Sequence, residues 1–109
     1  MSIKNIFQLP ATVDGNRELF ETLIKTRNIH IERIVSTGQV SPSGFWYDQK
    51  DDEWVTLLQG NATLEYDNGE KIELNPGDYL LIPTHQRHRI TFTSEQPACI
   101  WIAIHGKLK

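Results

Sequence analysis

Cysteine is nearly absent: Cys99 is the single one in 109 residues. An internal disulfide is therefore excluded, and a lone thiol suits a reducing compartment. Long apolar runs are missing as well. The longest, Cys99-Ile-Trp-Ile-Ala-Ile104, falls far short of the roughly 20 residues that a membrane helix needs. The first ten residues, Met1 to Pro10, lack the apolar core of a secretory signal. These absences predict a cytoplasmic protein with no membrane partner. Charge of one sign is also scarce, with 11 Lys and Arg against 14 Asp and Glu and a formal charge of −3. Arg87 and Arg89 are the densest basic pair, and no long basic run exists. Nothing here attracts a phosphate backbone, so no nucleic-acid partner is expected. Internal repeats, a phosphate-cradling glycine loop, a serine-centred triad and zinc-finger spacing are all missing.

What remains fits one domain. A chain of this length buries roughly two thirds of its unfolded surface, enough for one core without staples. Only one segment carries a helical pattern. Leu19, Phe20, Leu23 and Ile24 form an apolar stripe between Arg17 and Lys25, with Asp14-Gly-Asn16 as capping groups and Asn28 as a stop. The expectation is a short helix in an N-terminal arm, residues 1–28, packed outside a β domain at 29–109.

From Ile29 onward the pattern has period two. Ile29, Ile31 and Val35 recur on one face, as do Ala62, Leu64 and Tyr66. Asp67-Asn68-Gly69 predicts a hairpin with a type I′ turn. Asn75-Pro76-Gly77-Asp78 predicts a second tight turn. Tyr79–Ile82, His88–Thr93 and Ala98–His105 read as further strands. Many short strands with close turns indicate a sandwich or barrel.

Two segments narrow this further. The first runs from Gly44 to Gly60 and includes Phe45-Trp-Tyr-Asp-Gln49, with Glu53 seven places before Gly60. The second, Gly77-Asp-Tyr-Leu-Leu-Ile-Pro-Thr-His-Gln-Arg-His88, has Pro83 six places after Gly77 and a trailing histidine. Together they resemble the two motifs of the cupin superfamily, and the closing Trp-Ile-Ala-Ile-His105 is similar to a subgroup of small single-domain bacterial cupins. The resemblance implies an all-β fold, an RmlC-like jelly-roll barrel (double-stranded β-helix), here with the short N-terminal helix added. The sequence also departs from the family pattern. Trp46 and Asp48 take the places of the first motif's two histidines, His85 stands where a glycine is expected, and Phe92 replaces a usual asparagine.

Chemistry is expected at few residues. His88 shares a strand face with Ile90 and Phe92, so alternation turns it inward. As a core histidine it needs one hydrogen bond; as the family's histidine it is a metal ligand or an acid–base group. Glu53 is either a solvated carboxylate in the run Asp51-Asp52-Glu53 or, in the family register, an inward ligand. With Asp48 these two make an expected trio, Asp48, Glu53 and His88, that suits a divalent metal such as Mn, Fe, Ni or Zn. Trp46 and Trp101 are expected to line the pocket, with His85 at its mouth and His105 as a spare ligand if its strand face turns inward. His88 and His85 are the candidate proton-transfer groups. The leading expectation is a small-molecule cupin that acts on or senses an oxygen-rich compound, a sugar or a hydroxy- or keto-acid. Two alternatives stay open: a metal-free binding or sensor module, and a metal-free isomerase using His88 with Asp48. The last strand is apolar on both faces, which predicts a homodimer.

Overall fold

Eight strands follow one another: β1 (Leu19–Lys25), β2 (Ile29–Ser36), β3 (Asp52–Gln59), β4 (Ala62–Tyr66), β5 (Lys71–Leu74), β6 (Tyr79–Ile82), β7 (His88–Thr93) and β8 (Cys99–Gly106). The computed structural model describes residues 2–13 and 15–109. Two antiparallel sheets form, one of order β1-β2-β8-β3-β6 and one of order β5-β4-β7. Their inner faces share one core, in which Val55, Leu57, Trp101 and Ala103 meet Ala62, Leu64 and Leu74. Among the described residues no helix is long and apolar enough to cross a membrane.

The expected N-terminal helix is instead strand β1, paired with β2 from Leu19↔Val35 to Lys25↔His30. Asp14, offered as a helix cap, lies outside the described residues. The misreading has a physical source. The register of β1 slips between Thr22 and Ile24, so Leu23 is an extra residue and the period-two alternation breaks there. Apolar residues at 19, 20, 23 and 24 then mimic a helical stripe. A nine-residue helix is marginal alone, whereas the open edge of β2 supplies a full set of backbone partners. Chain before β1 lies across the outer face of β2, where Arg33 donates to the carbonyls of Ile6 and Gln8 at 2.9 Å each and pairs with Glu21 at 2.6 Å.

Turn chemistry follows the sequence, with one change. The β4–β5 hairpin closes over Asp67–Gly69, with Tyr66 and Glu70 still paired through Tyr66 N–H to Glu70 C=O at 2.9 Å. Only Gly69 has positive φ (91°). The loop is therefore a three-residue turn with its left-handed residue last, not the two-residue type I′ turn. Gly60 closes β3 at φ 89°, and a Cβ there would stand 2.8 Å from both Cys99 Sγ and Ser94 Oγ. Only glycine fits that close approach. In β7 the register with β4 shifts after Thr63 (Thr63↔Phe92, Leu64↔Ile90). Alternation is reversed beyond Ile90, so Phe92 is exposed and Thr93 buried. His88 and Ile90 keep the expected inward face.

Candidate functional site

A cavity of about 90 Å³ lies between the sheets. Strand β3 contributes Glu53 and Val55, β2 contributes Glu32 and Ile34, β8 contributes Trp101 and His105, and β7 contributes His88 and Ile90. The loop before β3 adds Tyr47 and Gln49. Trp101 is anchored by its indole N–H, which donates to Ser36 Oγ at 3.1 Å, and Ser36 in turn donates to Glu18 at 2.6 Å. Burial raises the Glu18 carboxyl above its ordinary range, partly countered by that bond.

His88 and Glu53 are both buried and face each other, Nε2 to Oε1, at 3.6 Å. Nδ1 of His88 lies 2.8 Å from the carbonyl of Gln86. That carbonyl can only accept, so Nδ1 carries a proton and Nε2 is the nitrogen turned toward Glu53. Gln49 Oε1 is buried without a hydrogen-bond donor among the described residues. The inner wall is therefore rich in acceptors and poor in donors. Its charged lining is one-sided too: Glu18, Glu32 and Glu53 line the cavity, and among the described residues no Lys or Arg does. Two groups register that field. The Tyr47 phenol is raised by burial and then by Glu18, Glu53 and Glu32. His105 is raised by its 3.0 Å bond to Glu32, against the opposing effect of burial, with Glu53 adding to the rise.

The expected trio does not assemble. Asp48 lies outside the cavity, bonded to His85 at 2.7 Å. Trp46 is also outside, with the Arg89 guanidinium 4.2 Å and that of Arg87 5.9 Å from its ring centre. His85 does not reach the cavity lining. Trp101 and His105 do, and the inward face of β8, left open by the sequence, is the one that carries them. The cause is a register of one residue. Tyr47 and His88 form an antiparallel bridge, N–H to O at 2.7 and 3.1 Å, and their rings stack at 5.3 Å. Directly paired residues share a face, so Tyr47 and Gln49 point inward and Trp46 and Asp48 outward. Counting back one residue fewer from Glu53 would have found them. His85 keeps the backbone of the glycine it replaces, with φ at 61°.

The family model for the cupin domain matches residues 34–105. The chain belongs to this family. Its fold is shared over nearly the whole length with a Ralstonia eutropha JMP134 protein provisionally named a mannose-6-phosphate isomerase. The two are 37% identical with a TM-score of 0.87, over 98% of this cupin and 99% of the other chain. A cupin superfamily protein of Desulfitobacterium hafniense DCB-2 matches at 23% identity and TM-score 0.74, over 86% and 81% of the two chains. An RmlC-like cupin of Methanocaldococcus jannaschii matches at 16% and 0.71, over 98% and 94%. Both show the fold alone. In Escherichia coli K12, the RCS-specific HTH-type transcriptional activator RclR is 38% identical over 47 residues, which span 43% of this cupin and 16% of the activator.

A divalent metal is the cofactor that the family resemblance implies. Asp48, Glu53 and His88 do not fit one, since Asp48 faces away, and among the described residues no three His, Cys, Asp or Glu side chains converge into a cage. The dyad expected of a metal-free isomerase, His88 with Asp48, is separated for the same reason.

Proposed function

We propose that this cupin is a binding domain whose cavity takes the hydrogen-bond-donating end of a small molecule, uncharged or cationic where it enters. One observation carries the reading: three glutamates and the donorless Gln49 Oε1 wall the cavity, and no Lys or Arg offsets them. An anion entering would meet repulsion and no donor fork. Hydroxyl or ammonium groups would supply the donors that Glu53, His88 and Gln49 lack. The volume of 90 Å³ holds about three waters, the room of a short polyol end rather than a whole hexose. Val55, Leu64, Ile82 and Trp101 would pack its carbon side. The partial likeness to an activator favours a sensing role over turnover.

A second reading is favoured by the same donorless oxygen. Gln49 Oε1, Glu53 and His88 Nε2 would hold a divalent cation through two oxygens and an imidazole, and the cation would supply Lewis acidity to a bound oxygen. Metal analysis of protein purified without chelators separates the two. Less than a tenth of an equivalent, with neutral polyols or small amines shifting the Trp101 indole resonance, is expected from the first reading. A full equivalent of metal lost in Glu53→Gln would replace it with the second. A shift of that resonance by inorganic phosphate alone would overturn the first outright.

We also propose a homodimer through the outer face of the larger sheet. There Ile24, Ile31, Ile104, Trp54 and Leu81 stand in one row across five strands, with Ile24 and Leu81 exposed. Light scattering at micromolar concentration should return twice the chain mass, and Trp54→Glu should return the monomer.

A further inference from the structure

Beside the cavity lies a second space of opposite character. A basin of about 960 Å³ shares Glu32, Gln49 and His105 with the cavity wall, so the two adjoin there. Lys25, Arg27, Lys50 and Lys107 line it. They come from three separate parts of the chain: the end of β1 with its connection to β2, the loop before β3, and the residues after β8. These four are over a third of the chain's 11 Lys and Arg, on a protein whose formal charge is −3. None of them pairs with a carboxylate among the described residues. Asp51 and the already bonded Glu32 are the basin's acids. His30 lies beside His105 with its ring tilted by 33°, 5.8 Å between ring centres.

Unpaired like charges gathered at one mouth repel each other and gain nothing for the fold. An anion removes that cost. The inner cavity is lined by glutamates and the outer basin by cations, and the two adjoin at Glu32, Gln49 and His105. We propose that the ligand is bipartite: a hydroxylated head that enters the cavity past Glu32 and Gln49, and a phosphate that stays outside on Lys25, Arg27, Lys50 and Lys107. The ligand class is thus a small phosphorylated polyol, bound head inward. The head's place rests on the reading of the cavity given above; the phosphate's place rests on the basin. A phosphate is favoured over a carboxylate because its second charge and its three oxygens suit cations arriving from three directions.

The test uses matched probes, glycerol, ribose and mannose, each against its terminal phosphate monoester. Binding is followed by titration calorimetry and by amide and indole NMR shifts of the whole chain. At least one phosphate ester should bind about tenfold or more tighter than its parent polyol, with shifts at both Lys50 and Trp101. Charge reversal at two exposed positions, Lys50→Glu with Lys107→Glu, should shrink that difference to about twofold while leaving the parent polyol's affinity unchanged. Equal affinity of every ester and its parent would overturn the basin's role and leave the cavity reading standing. Shifts by esters and inorganic phosphate confined to the basin, with Trp101 and His88 unmoved by every polyol, would overturn the bipartite ligand together with the cavity reading. An unchanged preference in the doubly reversed variant would place the phosphate elsewhere and overturn the proposal as well.

Discussion

Two histidine–carboxylate pairs sit on opposite sides of the loop before β3, and the tighter one is the less consequential. His85 and Asp48 meet at 2.7 Å but are 68% and 49% exposed at their side chains. His88 and Glu53 stand 3.6 Å apart and are only 5% and 10% exposed. In water a short polar contact of this kind contributes little, because solvent competes for both partners. In the cavity the same chemistry is amplified, and a separation too long for a good hydrogen bond leaves unspent binding capacity. Distance alone would have chosen the wrong pair; burial decides between them.

The sharpest way to break that comparison is to neutralise each carboxylate in turn. Glu53→Gln removes an acceptor from a buried wall and should weaken ligand binding about ten- to a hundredfold, the equivalent of one charge-assisted hydrogen bond. Asp48→Asn should change affinity by less than about twofold. Equal losses in a calorimetric titration would mean that the rim pair, not the buried one, contacts the ligand.

Removing the histidines tests stability in the same terms. His88→Ala leaves a gap under the Tyr47 ring and an unpaired Gln86 carbonyl, and should cost about 2–3 kcal/mol in a denaturant titration. His85→Ala should cost less than about 1 kcal/mol. A reversal of that order would show that the rim pair pins the loop more firmly than the core does.

A smaller effect concerns pH. Its partner Glu32 holds His105 above the ordinary histidine value of 6.5. A group raised on folding stabilises fully below its unfolded value, and that contribution fades as pH rises through the folded one. The stability lost in His105→Gln should therefore be larger at about pH 5.5 than at about pH 8. An equal loss at both would mean that the Glu32 bond forms with the neutral ring.

Much of this architecture was legible in the residues, for identifiable reasons. Strands β2 and β4 to β8 announce themselves by alternation and by Asn68-Gly69 and Pro76-Gly77. His88 was placed correctly because the part of β7 that carries it precedes the bulge. Phe92 lies beyond the bulge, and β1 contains one, so a fixed period misread both. Glu53, Trp101 and His105 were recognised as candidates, the last without a face. Tyr47 and Gln49 were missed because the segment around them is no regular strand. A single bridge to His88 sets its facing, and such a bridge leaves no periodic trace. The basin was invisible for a related reason: Lys25, Arg27, Lys50 and Lys107 are unremarkable in sequence until the fold brings three distant segments to one mouth.

The least perturbing prediction returns to the rim. His85 holds a left-handed backbone, φ 61°, at a position where glycine is the family's residue. A side chain there costs about 1 kcal/mol that glycine would not incur. Against it stands the exposed bond to Asp48, worth between nothing and about 1 kcal/mol. His85→Ala loses the bond and keeps the strain. His85→Gly loses the same bond but releases the strain, although its freer unfolded chain takes back about 0.4–1 kcal/mol. The glycine variant should therefore equal or slightly exceed the alanine variant in stability, by up to about 0.6 kcal/mol, the remainder after that entropic loss. With ligand affinity unchanged in both, the histidine is a rim residue whose backbone the turn imposes. An alanine variant clearly more stable than the glycine one would show that the turn, not the residue, yields at this position. A loss of affinity in both would instead bring the exposed pair into contact with the ligand and erase the contrast with His88 and Glu53.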